Sequence, residues 1–97
     1  MGISVLVVDD DDDIAMLLVS SLERAGIATA RAGNGREGIE RVRADRPRVV
    51  LMDWMMPVTD GIQAAQEIRE DAEIAQPHII MLTARVHITD QEQALRA

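Results

Sequence analysis

Apolar positions along this chain fall into two alternating rhythms. Ile3 to Val8 is a short run rich in β-branched residues that breaks at Asp9, the pattern of a strand buried on both faces. Ile14, Leu17, Leu18, Leu22 and Ala25 then recur at helical spacing, with Asp11 to Asp13 able to cap and complement the positive helix start and Gly26 closing it. Ile27 to Arg31 reads as a second strand. Asn34-Gly35 opens a helix with Ile39 and Val42 on one face, ended before Pro47. Val49 to Met52 is a third strand ending at Asp53. Gly61 to Ala72 is helical, with Ile62, Ala65 and Ile68 facing inward, and Pro57 and Gly61 bracket the loop before it. His78 to Leu82 gives a fourth strand ending at Thr83, and Thr89 to Ala97 begins a fourth helix.

Strict strand–helix alternation with short connections predicts an α/β fold, a doubly wound parallel sheet with right-handed crossovers and helices on both faces. No repeat, linker or low-complexity stretch divides residues 1–97, so one domain is expected. In such sheets the site lies at the carboxyl ends of the strands. Three of the strands deliver polar residues there: Asp9 and Asp10 after the first, Asp53 after the third and Thr83 after the fourth.

Composition narrows the chemistry. The 17 acidic residues outweigh 10 basic ones, for a formal charge of −7, which argues against direct nucleic-acid binding. Every basic residue is arginine, so no mechanism here can use a lysine, and without cysteine there is neither a thiolate nucleophile nor a Cys-ligated zinc. The longest apolar run is too short to span a bilayer, and the amino-terminal run meets five aspartates, unlike a signal peptide. A soluble, cytoplasmic protein with no membrane partner is expected.

Carboxylates forced together repel unless a cation neutralises them. Mg²⁺ prefers one or two carboxylates, with waters and a phosphate oxygen completing its octahedron; Asp10 and Asp53 suit direct ligation, with Asp9 acting through water. A calcium loop read from Asp9 fails, because Ile14 stands where its glycine belongs and Ser20 where its bidentate glutamate belongs. Beside a cation that bridges an incoming phosphoryl group, Asp53, alone at its strand end, is the candidate nucleophile for an aspartyl phosphate. Thr83 offers a hydroxyl to a phosphoryl oxygen, and Ala84 is small enough to leave the approach open. Gly33-Asn34-Gly35-Arg36-Glu37-Gly38 spells a dinucleotide-binding fingerprint. That fingerprint normally follows the first strand of its unit, where acids here would repel a pyrophosphate, so Asn34-Gly35 reads as turn chemistry.

Val7-Val8-Asp9-Asp10, Asp53 followed by Met56-Pro57-Val58-Thr59-Asp60-Gly61, and Met81-Leu82-Thr83-Ala84 together resemble the receiver domain of two-component response regulators. The resemblance covers nearly the whole chain. It implies a flavodoxin-like sheet of strand order 2-1-3-4 that accepts a phosphoryl group on Asp53 with Mg²⁺, from a histidine kinase or phosphotransfer protein. It also implies that the Met55 backbone carbonyl joins Asp9, Asp10 and Asp53 around the metal. Such a module is not an enzyme beyond its own phosphorylation and dephosphorylation.

The family pattern continues with a fifth strand bearing a lysine, a switch aromatic and a fifth helix. These 97 residues match it only as far as the fourth helix, and they include no Lys, Phe or Tyr, with Trp54 misplaced for the switch. The expectation is a truncated receiver whose phosphorylation is slow or absent while Mg²⁺ still binds, with Arg85 the nearest cation. A bare fourth-strand edge at Ile79 to Leu82 further predicts a homodimer or higher oligomer. The alternative function is an assembly or interaction domain with little or no phosphotransfer. A metal-dependent hydrolase comes third, because haloacid-dehalogenase-like phosphatases want an acid where Met55 stands.

Overall fold

The computed structural model describes residues 2–53 and 61–82. The elements run β1 (Val5–Val8), α1 (Asp12–Arg24), β2 (Thr29–Ala32), α2 (Gly35–Asp45), β3 (Val49–Asp53), α3 (Gly61–Glu70) and β4 (His78–Leu82). All strand pairs are parallel, in the order β2-β1-β3-β4, as expected for the flavodoxin-like sheet.

Alternation along β1 divides the core. Val5 and Val7 face α1, packing with Ala15, Leu18, Val19 and Leu22. Leu6 and Val8 face the other side, where Ile39 and Val42 of α2 and Ala64 and Ile68 of α3 join Val50 and Met52. The central strand therefore reads as an unbroken apolar run because both of its faces are covered. Complete burial of a side chain such as Leu6 or Ile68 contributes about 1.5–3 kcal/mol relative to exposure.

Local chemistry sets the helix ends. Asp11 caps α1, its Oδ1 accepting the backbone N–H groups of Asp13 at 2.9 Å and Ile14 at 3.0 Å. Gly26, at φ +83°, turns the chain out of that helix, and its N–H donates to the Glu23 carbonyl at 2.9 Å. Asn34 caps α2 by accepting from the Glu37 N–H at 2.9 Å. Four residues on, Gly38 lies so close to Val8 that a Cβ would stand 3.0 Å from both valine methyls. Within the apparent dinucleotide fingerprint, Asn34 thus serves as a helix cap and Gly38 allows a close helix–sheet contact.

The structure corrects several bounds and faces expected from the sequence. The first strand begins at Val5 rather than Ile3, and the second covers Thr29–Ala32 rather than Ile27 to Arg31; Ile27 packs with the α1 cluster from the preceding loop. Leu17 is 68% exposed, not inward-facing. The stripe facing the sheet is Ala15, Leu18, Val19 and Leu22, spaced i, i+3, i+4, i+7, and Leu17 lies roughly 200° around the helix from Ala15. On α3 the buried stripe is Gly61, Ala64 and Ile68, which leaves Ile62 and Ala65 half-buried along a groove that also includes Met81; the helix ends at Glu70 rather than Ala72. The expected fourth helix lies outside the described residues.

Candidate functional site

Parallel pairing places Val8 opposite Met52, so the next residue of each strand, Asp9 and Asp53, emerges at the same carboxyl edge of the sheet. This is the point where the strand order reverses, with β2 on one side of β1 and β4 on the other side of β3, the place where open α/β sheets form a crevice. Asp9 is 2% exposed and Asp53 4%. Asp10 is half-buried beside them, and one carboxylate oxygen from each of the three lies within 4.8 Å of the others.

The acidic run divides its work residue by residue. The Asp9 Oδ1 accepts the Asp11 backbone N–H at 2.8 Å, which closes the turn from β1 into α1 and aims the carboxyl inward. Asp11 is spent on the helix cap. Asp12, 86% exposed, pairs with the Arg31 guanidinium, Oδ1 to Nη1 at 2.7 Å. Asp13 stands in the first helical turn, where its charge complements the helix dipole. Only Asp9 and Asp10 of the five turn toward Asp53.

A donor set of three carboxylates, two of them almost fully buried, suits a hard, oxygen-seeking divalent cation and no soft metal. Clustering this negative charge out of water is costly unless a cation or hydrogen bonds offset it. The residues present therefore fit Mg²⁺.

The sequence reading foresaw the convergence of Asp9, Asp10 and Asp53. It did not foresee Arg31, whose Nη2 donates to the Asp9 backbone carbonyl at 2.9 Å. The signal lay in the pairing: Arg31 stands opposite Val7, on the strand next to β1, two residues before the acids. Met55, Thr83, Ala84, Trp54 and Arg85 lie outside the described residues.

Residues 5–97 match the family model of the response regulator receiver domain. The CseB transcriptional regulatory protein of Streptomyces coelicolor is 39% identical over 93 residues, covering 96% of this chain and 38% of that protein. PilH of Pseudomonas aeruginosa is 36% identical over 87 residues, covering 90% of this chain and 72% of its own. Among solved structures, the receiver domain of the sensor histidine kinase PA1611 from Pseudomonas aeruginosa, which carries a magnesium ion in its active-site cleft, superposes with a TM-score of 0.83 at 29% identity, over all of this chain and 80% of that one. The chain belongs to the response regulator receiver domain family, the phosphoacceptor modules of two-component systems. It spans about two-fifths of the length of the first curated relatives, CseB and the Bacillus subtilis regulator YrkP.

Proposed function

We propose that Asp53 is the phosphoacceptor and that Asp9, Asp10 and Asp53 hold Mg²⁺, residues 1–97 acting as a single receiver unit. The observation that carries this is the three-carboxylate cluster at the carboxyl edge of β1 and β3, within 4.8 Å. An ionised carboxylate needs no general base to act as a nucleophile at neutral pH. In the proposed transfer an Asp53 oxygen forms a bond to phosphorus as the bond from phosphorus to the donor breaks, and the donor leaves with that electron pair. Mg²⁺ held by these carboxylates would supply electrostatic neutralisation of phosphoryl oxygens.

Asp10 and Asp53 are proposed as the direct ligands, with Asp9 acting through water and the Met55 carbonyl completing the protein's share. Thr83 is proposed to donate its hydroxyl to a phosphoryl oxygen, with Ala84 leaving room beside it. The proposed donor is a histidine kinase or a phosphotransfer protein. A structure of the yeast phosphotransfer protein Ypd1 with the receiver domain of Ssk1 supports that class of partner: the match is 30% identical, covers 98% of this chain and 72% of that one, and has a TM-score of 0.78. No catalytic turnover beyond the domain's own phosphorylation and dephosphorylation is proposed. No helix among the described residues is long and apolar enough to cross a membrane, and the cytoplasm is the proposed compartment.

A second reading, self-association through β4, is favoured by one observation. Among the described residues β4 pairs only with β3, and Ile80 is 50% exposed on it. Native mass spectrometry with Mg²⁺, before and after acetyl phosphate, tests both readings. One phosphate on the wild type and none on Asp53→Asn supports the phosphoacceptor. An unmodified oligomer would favour the assembly reading instead.

A further inference from the structure

Arg31 is the one cation among the described residues with a polar contact to the loop that carries the acids, and it makes two such contacts. Its Nη2 donates to the Asp9 carbonyl at 2.9 Å, and its Nη1 meets the Asp12 carboxylate at 2.7 Å. The two acceptors bracket Asp10 in the sequence. The guanidinium therefore spans the turn from β1 to α1, while the Asp9 and Asp10 carboxylates meet Asp53 in the pocket.

Geometry and charge oppose each other here. As a positive charge beside an anionic pocket, Arg31 disfavours a second cation. As a planar fork held at both ends, it restricts the segment on which two of the three carboxylates sit, and a planar guanidinium loses less freedom per bond than an ammonium would. Its charge is already engaged by Asp12, and its fork joins Asp9 to Asp12 across the turn, alongside the Asp9–Asp11 contact. On that balance the positioning effect is expected to exceed the repulsion. We propose that Arg31 is a positioning residue for the divalent-cation site, a two-point clamp on residues 9–12 that holds Asp9 and Asp10 ready for the metal. The inference rests on the proposed metal site.

The test is a Mg²⁺ titration of the full chain, followed by Trp54 fluorescence and by calorimetry, on four variants. Arg31→Met keeps the apolar stem and removes both contacts; it is expected to weaken Mg²⁺ binding about tenfold, at the lower end of what loss of an outer-shell partner costs. Arg31→Lys, able to reach one acceptor, is expected to recover part of the loss. Asp12→Asn, on an exposed side chain, is expected to weaken binding more than Asp13→Asn, which removes the same charge one residue further on without touching the clamp. Unchanged or tighter binding by Arg31→Met, with or without a lower melting temperature, would overturn the positioning role while the metal site stands. So would equal effects of Asp12→Asn and Asp13→Asn. Failure of the wild type to bind Mg²⁺ would overturn the metal site and the clamp together.

Discussion

Gly61 at the start of α3 lies directly against the backbone carbonyl of Asp53: a Cβ there would overlap the Asp53 oxygen and stand 2.9 Å from its carbonyl carbon and from the Met81 methyl. Helix and strand are packed backbone to backbone at the acid proposed to accept phosphate. At this point α3 cannot move closer to β3 without displacing Asp53.

Gly61→Ala should therefore act at the site as well as on the fold. Overpacking of this kind typically costs about 1–3 kcal/mol. The gain in helix propensity offsets at most about 1 kcal/mol of that. Chemical denaturation should show a net loss of stability, and a Mg²⁺ titration should show weaker binding although no ligand has been removed. Wild-type affinity in a destabilised Gly61→Ala would confine the contact to packing.

Metal binding to the folded state alone must raise its stability, by about 1.4 kcal/mol at ten times the dissociation constant. The wild type should melt higher in Mg²⁺ than in chelator. Asp53→Asn and Asp10→Asn should lose that increment, and each should melt at or above the wild type in chelator because one like charge has left the cluster. Differential scanning calorimetry with and without Mg²⁺ checks both signs. An equal Mg²⁺ shift in wild type and Asp53→Asn would remove Asp53 from the ligand set.

A polar tie joins α2 to the segment after α3. Asp71 Oδ1 accepts the Glu73 N–H at 2.9 Å, and its Oδ2 accepts from Arg43 Nη2 at 2.9 Å and Nε at 3.1 Å. The Glu73 backbone bond and then the Arg43 guanidinium lower the Asp71 carboxyl below its ordinary value of 3.8. Because the folded value is the lower one, the contribution is fully present above the unfolded value and is lost as pH falls through the folded one. Asp71→Asn should melt below the wild type at pH 7, with the gap closing as pH drops below 3.8. A gap independent of pH would show that neither the Glu73 bond nor the Arg43 pair owes its contribution to the charge on Asp71.

Leu17 and Leu18 are neighbours with opposite environments. Leu18 packs on the β1 face of the core and Leu17 is 68% exposed. Leu18→Ala should cost about 2 kcal/mol, near the lower end for a buried leucine, and Leu17→Gln about 0.5 kcal/mol or less. Urea unfolding of both measures the contrast, and comparable losses would place both residues in the core.

What the sequence by itself determined was the alternation of elements, the parallel sheet and the strand ends at which Asp9, Asp10 and Asp53 emerge. These are legible because β-branched runs that stop at an acid, and stripes spaced three and four apart, are local patterns bounded by Asp, Asn, Gly and Pro. The family motifs are local too, which is why the receiver identity was readable. Tertiary structure decided what depends on pairs of distant residues. It turned Leu17 outward, because the rotation of α1 is set by whichever stripe fits Val5 and Val7. It divided five like aspartates among pocket, helix cap, ion pair and first helical turn, because their surroundings differ. It brought Arg31, 22 positions along the chain, onto the Asp9 carbonyl through the register of β1 with β2. A strand's register is written in no single segment; it is chosen when both faces of the sheet are buried together.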